Sequence, residues 1–245
     1  MDNVITAHNP IKSSYLKEGA AILIDKPLEW TSFDVVNKLR YVIKRHLNVK
    51  KYKVGHAGTL DPLASGLLIL CIGPYTKKIE TIVAQHKGYT GEVTLGVDTP
   101  SYDAETMPDV YYPDKEITTD DLSNVMDQFS GSIEQVPPMY SAIKVKGVAL
   151  YKLARRGEEI KRQPRPVTIS NIEVALTAPD KMSIEVVCTK GTYIRTLAYD
   201  IGQFLGCGGY LTQLRRTMIG GFSVDDAISI DAFIEQVNQL TIPTA

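Results

Sequence analysis

Residues 54–72 read VGHAGTLDPLASGLLILCI, and this stretch decides how the chain around it folds. Its first part is rich in Gly, Thr, Asp and Pro, which predicts a loop from Val54 to Gly66. Its second part, Leu67 to Ile72, is a short apolar run, which predicts a strand buried on both faces. The stretch therefore places the carboxylate of Asp61 in a glycine-flanked loop directly before a core strand.

The segments around this strand indicate a sheet with inserted helices. Ala20 to Ile24 predicts a second buried strand, and apolar residues recur every three or four positions from Thr31 to Leu47, which predicts a helix. Alternating residues predict a strand from Lys87 to Val97, and a hairpin joins strands 167–176 and 182–189. Because the strands are mostly consecutive or hairpin-joined, we expect an α+β fold with a mixed, mainly antiparallel sheet flanked by helices.

Length and composition narrow the class of protein. The chain has 245 residues, 44% of them apolar and 22% charged, which favours one folded domain. We expect a polar leader over residues 1–18 and a single domain over 19–245. No run of 18 apolar residues occurs, so we expect no membrane span. The three cysteines lie far apart, which argues against a disulfide framework or a zinc site and favours the cytoplasm.

Charge is segregated along the chain although the net charge is only -1. Residues 38–53 contain seven Lys or Arg and no acid, and residues 144–166 contain eight against two glutamates. Nine acids lie between Asp98 and Asp127. Segregation of this kind can present a basic face to phosphate groups. On the charge runs alone, two solvated helix faces are the simpler interpretation.

Asp61 is the first candidate for chemistry. The loop around it ends without the Gly-Lys-Ser/Thr of a phosphate-binding loop, and no second acid stands at position 63. His56 and Asp61 have no neighbouring partners that would form a metal site. Asp61 can act as a nucleophile, or it can simply form a turn before Pro62.

Arg195 is the second candidate. It follows a strand within Lys190 to Arg195 and falls in the first turn of a predicted helix, where a basic side chain opposes the helix dipole. A bidentate carboxylate partner would explain its position. The alternative is an ordinary surface arginine.

Six segments together resemble the TruB-type tRNA pseudouridine synthases. The matches run in order from about residue 20 to about residue 233, which makes them far more specific than any one alone. They are Leu23–Pro27, Gly55–Pro62, Lys87–Tyr89, Gln135–Lys144, Lys190–Arg195 and Leu214–Arg216.

The resemblance implies a pseudouridine-synthase fold and an isomerase that converts a uridine of the tRNA T-loop, U55 in tRNA numbering, to pseudouridine by base flipping. It implies no cofactor and no metal. Asp61 is implied as the catalytic carboxylate. Three roles stay open: attack at the sugar C1′, attack at the base C6, or proton abstraction at C2′.

The resemblance also implies roles for other residues. Arg195 is expected to pair with Asp61, and Tyr89 to stack on the flipped base and to be a candidate for the proton transfer at C5. The other implied roles are to help displace the base from its stack and fill space in the T-loop (His56), to line the base pocket (Tyr193, Leu214), to support the active-site loop (Lys26, Pro27) and to contact RNA (Lys144).

About a dozen residues follow Phe233, too few for the C-terminal PUA domain that many members of this family carry. We therefore expect the short bacterial form. Residues 38–53 and 144–166, the latter within the RNA-contacting segment 134–166, are expected to make more of the phosphate contacts to the T-arm. The expected partner is tRNA, and the expected state is a monomer. An RNA-folding chaperone and a carboxylate-dependent hydrolase are the competing functions.

Overall fold

In the computed structural model, which describes residues 3–241, many short strands and a few helices alternate along the chain. The helices are α1 (Ser13–Glu18), α2 (Ser32–Leu47), α3 (Ile79–Val83), α4 (Thr119–Phe129), α5 (Leu150–Ala154), α6 (Ile194–Leu205) and α7 (Ile230–Gln239). The strands are β1 (Val4–Ile5), β2 (Ala20–Lys26), β3 (Val54–His56), β4 (Ala64–Ile72), β5 (Lys87–Leu95), β6 (Val97–Asp98), β7 (Val110–Tyr111), β8 (Gly131–Gln135), β9 (Lys144–Val145), β10 (Val148–Ala149), β11 (Arg165–Ala178), β12 (Lys181–Cys188), β13 (Gly209–Ile219) and β14 (Phe222–Ser223).

The internal contacts divide the described residues into two units. Unit 1 runs up to Gly88 and resumes at Arg215, and unit 2 is Tyr89–Leu214. The boundaries fall inside β5 and β13.

The sheet of unit 1 has the order β1-β2-β4-β13, with β3 also on β4 and β14 on β13. β1 is parallel to β2, whereas β2 and β3 are antiparallel to β4. Lys26 at the end of β2 pairs with Gly66 near the start of β4. The end of β2 therefore lies beside the point where the Asp61 loop enters the sheet.

Alternating side chains of β2 and β4 bury both faces of this sheet. Ile22 and Leu68 pack with α2 and α7 on one face, while Leu23 and Ile69 belong to a second core cluster on the other. Helix α2 packs its apolar face here and begins with a capping box between Thr31 and Asp34. The predicted buried strand and helix are confirmed.

The start of the chain differs from the expected polar leader. Within residues 3–18, β1 pairs with β2, and Ile5, Ile11, Tyr15 and Leu16 are buried in the core of unit 1. These four side chains are too scattered to form a recognisable periodic pattern, so the sequence analysis missed a segment that belongs to the fold.

Unit 2 contains the strand order β13-β5-β12-β11-β8. β11 is antiparallel to both β12 and β8, and the predicted hairpin of β11 and β12 is confirmed. Together with the β1–β2 pair of unit 1, this confirms the expected α+β fold with a mixed, mainly antiparallel sheet. Strand β8 was not predicted, and the expected acidic connection after residue 98 contains the small β6–β7 pair.

Candidate active site

The Asp61 loop, residues 57–63, connects β3 and β4 in unit 1 and is shorter than predicted because its flanks join the sheet. The Ala64 amide donates to the Asp61 carbonyl at 3.1 Å, which closes a turn. The Glu29 amide donates to the Pro62 carbonyl at 2.8 Å, which ties the loop to the turn after β2. Asp61 itself is half-buried.

Ser32, the first residue of α2, fixes the residue before Asp61. Its Oγ accepts from the Leu60 amide at 2.8 Å and donates to the Leu60 carbonyl at 2.9 Å. Ser32 is 3% exposed. A hydroxyl that bonds both backbone groups of one residue holds that residue's orientation. The backbone directly before Asp61 is therefore fixed.

Lys26 is fully buried beside this loop. Its ammonium donates to the carbonyl oxygens of Pro27 (2.8 Å) and Trp30 (2.7 Å), which shapes the turn that contacts Pro62. The pKa of Lys26 is lowered to about 8, mainly by burial; within this net shift the Asp61 carboxylate raises the pKa and the charge of Arg216 lowers it. Lys26 and Asp61 therefore lie within electrostatic reach of each other. Pro27 is exposed.

His56, the last residue of β3, is half-buried. Burial lowers the pKa of His56 below its usual value, and the nearby charge of Arg216 adds to this effect, while a contact with the Gly58 backbone opposes it. The imidazole is therefore neutral at neutral pH, which suits contact with a base better than contact with a phosphate.

Arg195 lies in the first turn of α6 in unit 2 and is 5% exposed. Its Nε lies 3.4 Å from Asp103 Oδ2, Nη1 donates to the Ser101 carbonyl at 3.3 Å, and Nη2 donates to the Tyr140 carbonyl at 2.9 Å. A buried arginine held by a carboxylate and two carbonyls has one available orientation. The surface-arginine alternative is wrong.

Tyr193 occupies the N-cap position of α6. The side chain of buried Gln135 donates to the Tyr193 carbonyl at 3.2 Å and accepts from the Tyr193 amide at 3.0 Å. Tyr89 on β5 is 8% exposed, and Leu214 on β13 is half-buried. The backbone that carries Tyr193 is thus fixed from β8.

The basic segment 134–166 is only partly available to a ligand. Arg155, Arg156 and Arg162 form ion pairs with Glu105, Glu158 and Glu159, at 2.7, 4.0 and 3.0 Å. Four exposed lysines in the same segment form no ion pair with any residue among 3–241: Lys144, Lys146, Lys152 and Lys161.

The expected site residues fall into one set in each unit. Lys26, Pro27, His56 and Asp61 surround the loop of unit 1. The set in unit 2 is Tyr89, Lys144, Tyr193, Arg195 and Leu214. The pairing of Asp61 with Arg195 stays a prediction.

Sequence reasoning missed four residues that hold these sets in place: Ser32, Asp103, Gln135 and Arg216. Asp103 was hidden in the acidic stretch interpreted as a polar connection. Gln135 and Arg216 lay in segments that carried the family resemblance, which was the one signal that marked them.

Residues 3–241 contain no group of three His, Cys, Asp or Glu side chains placed to hold a metal ion. Over the same range, every helix is too short or too polar to cross a bilayer.

Two family models match consecutive parts of the chain. The TruB family pseudouridylate synthase N-terminal domain matches residues 44–194, and the tRNA pseudouridylate synthase B C-terminal domain matches residues 195–241. A protein of Flavobacterium johnsoniae named tRNA pseudouridine synthase B is 49% identical over 221 residues, which cover 90% of this chain and 96% of that protein. One of Phocaeicola vulgatus with the same name is 47% identical over 226 residues, with coverages of 92% and 96%.

A solved structure shows a similar fold. A chain from the crystal structure of a Cbf5-Nop10-Gar1 complex matches 96% of this chain with a TM-score of 0.67 and 27% sequence identity. This chain spans 64% of that longer chain.

Proposed function

Because the chain belongs to the TruB family of pseudouridine synthases, we propose that it isomerises a uridine of the tRNA T-loop, U55 in tRNA numbering, to pseudouridine in the cytoplasm. Relatives named tRNA pseudouridine synthase B support the choice of tRNA. The observation that carries the proposal is the Asp61 loop, held on both sides of the carboxylate by Ser32 and the Glu29 amide.

Asp61 is the proposed catalytic carboxylate. The reaction breaks the bond between C1′ and N1 of the uracil, turns the ring, and forms a bond between C1′ and C5; C5 then loses its proton and N1 takes up a proton. Electrons and atoms balance within the nucleotide, so the step needs no oxidant and no group donor. In this reaction a carboxylate can act as a nucleophile at C1′ or C6 or as a base at C2′.

The other expected residues have proposed roles in holding the flipped nucleotide. Flipping a base out of its stack costs a few kcal/mol, and Tyr89 offsets this cost by stacking on the uracil. His56, which is neutral, fills the space that the base leaves. Tyr193 and Leu214 line the base pocket, and Lys144 contacts RNA.

Arg195 is the proposed partner of the Asp61 carboxylate. The guanidinium has five N–H donors in a rigid fork, so it can hold Asp103 and still bond a second carboxylate. Asp103 would then fix the direction in which Arg195 presents its remaining donors.

The variant Asp61→Asn tests the proposed chemistry on a T-arm stem-loop RNA. The amide has nearly the same shape but is neither a nucleophile nor a base, so pseudouridine formation in a single turnover should be lost while RNA binding persists. Turnover near the wild-type rate would show that Asp61 only shapes its turn. Asp34→Asn, at the exposed start of α2, is the matched control and should keep activity.

A further inference from the structure

Arg216 on β13 is a buried cation of unit 1 with no role in the chemistry proposed so far. It is 1% exposed. Its Nε donates to the Leu67 carbonyl at 2.7 Å, Nη1 to the Thr59 carbonyl at 3.2 Å and Nη2 to the Gly58 carbonyl at 3.2 Å. Among residues 3–241 it forms no ion pair. A buried charge without a counterion is costly even when carbonyl oxygens compensate it, so the burial of Arg216 needs an explanation.

The three carbonyls lie on both sides of Asp61. Gly58 and Thr59 precede it in the loop, and Leu67 follows it in β4. One rigid guanidinium therefore ties together the two ends of the segment that carries the carboxylate. A lysine has a single donor atom and cannot reach three carbonyls in this arrangement.

Two glycines, one in the loop and one in β4, accommodate this arginine. Gly66 has a φ of +102°, and a Cβ there would collide with the backbone of Arg216, so glycine is what lets β13 approach. Gly58 has a φ of +111°, which turns its carbonyl toward Arg216. A Cβ at Gly58 would lie 3.9 Å from Nη1, so an alanine there meets backbone strain rather than a clash.

The charge of Arg216 also affects the pKa values of two side chains around the loop. It contributes to lowering the pKa of both Lys26 and His56, after the larger effect of burial on each. The guanidinium thus lies close to two of the side chains that surround Asp61.

We propose that Arg216 is a positioning residue for the reaction: by holding Gly58, Thr59 and Leu67, it fixes the Asp61 loop in its productive geometry before RNA binds. This inference rests on the proposed function of Asp61. It adds a residue that acts through the backbone of the loop rather than by touching the nucleotide.

The variant Arg216→Lys, which keeps the charge and removes the three-point contact, tests this inference. Its single-turnover rate at saturating T-arm RNA should fall on the order of 10²-fold, the loss expected for a misplaced catalytic group, while its Kd for the RNA stays unchanged. Arg215→Lys is the matched control, since Arg215 is the next residue, half-exposed and paired with Asp25 at 2.8 Å. It should keep the wild-type rate.

Gly58→Ala releases the same contact from the half-buried loop, so it decides the question if Arg216→Lys does not fold. It too should lower the rate and leave the Kd unchanged. Folded Arg216→Lys or Gly58→Ala protein with the wild-type rate would overturn the assignment of Arg216. Wild-type protein without activity on T-arm RNA would instead overturn the proposed function, and the assignment with it.

Discussion

Asp103 and Arg195 form a pair in which each side chain is less than a tenth exposed. The second oxygen of Asp103 accepts from the Glu105 amide at 2.9 Å, so a hydrogen bond within its own loop also holds the carboxylate. Removing the charge of Asp103 leaves the buried Arg195 guanidinium less well compensated, and losing one partner of a buried ion pair costs up to about 3–5 kcal/mol.

Asp103→Asn should therefore destabilise unit 2 and slow the reaction together. The amide keeps the shape but not the charge, so Arg195 loses the group that orients it. Denaturant unfolding should show a loss within the range for a broken buried pair, and single-turnover assays should show a lower rate at unchanged RNA affinity. Wild-type stability and wild-type rate together would show that the pair is unimportant.

Lys26 gives a prediction about pH. Because burial lowers the pKa of Lys26 from 10.5 to about 8, the unfolded chain binds more protons than the folded protein between these values. Stability from this group therefore rises with pH across that window. The free energy of unfolding of wild type relative to Lys26→Met should increase by up to about 3 kcal/mol from about pH 7 to pH 10.5.

Chemical denaturation at several pH values measures this difference. Lys38→Met, at an exposed lysine on α2, is the control and should show no such trend against wild type. A difference between wild type and Lys26→Met that stays constant with pH would show that Lys26 is not charged and desolvated as the structure places it.

Some site residues could be predicted from the sequence and others could not. The glycine-flanked loop and Arg195 at a helix start were recognisable because their residue types are unusual at those positions. Ser32 could not be recognised, and only the family resemblance marked Gln135. Each acts on a backbone group that lies close only after folding: Leu60 for Ser32 and Tyr193 for Gln135.

The basic segment 134–166 is where an element-level expectation needs refinement. Its charges were counted as one group, but the structure separates arginines in ion pairs from exposed lysines. An arginine already held by a glutamate must exchange that partner for a phosphate, so its net gain on RNA binding is smaller. The unpaired lysines are the better candidates for phosphate contacts.

Changing Lys144, Lys146, Lys152 and Lys161 to Gln together should weaken RNA binding and flatten its salt dependence. Each lost phosphate contact should reduce the slope of log K against log salt by roughly 0.7–0.9. Changing Arg155, Arg156 and Arg162 to Gln is the control and should alter the slope less per charge. Equal slopes for wild type and the lysine variant would mean that these lysines only solvate the surface.

Elements with a strong period were predicted well, and those built from isolated contacts were not. Helix α2 was predicted because its apolar residues repeat over several turns. Strand β1 and the β6–β7 pair are two residues long, which is too short for any periodicity, and they form because neighbouring strands offer hydrogen-bond partners.

At the scale of the whole molecule, family membership and the mixed sheet agree with the sequence analysis, and the fold expected from the resemblance is confirmed. The order of six short motifs carried that inference, not any property of the whole chain. The division into two units was not predicted, because its boundaries lie inside strands β5 and β13 rather than in a recognisable linker.

The central claim is that this chain makes the T-loop pseudouridine of tRNA through Asp61. Mapping pseudouridine at single-nucleotide resolution in tRNA from cells that lack the gene tests it most directly, with wild type or Asp61→Asn supplied from a plasmid. The T-loop uridine should be unmodified in the deletion strain, modified again with wild type, and still unmodified with Asp61→Asn at equal protein level. A T-loop that stays modified without the gene, or that Asp61→Asn restores, would contradict the account.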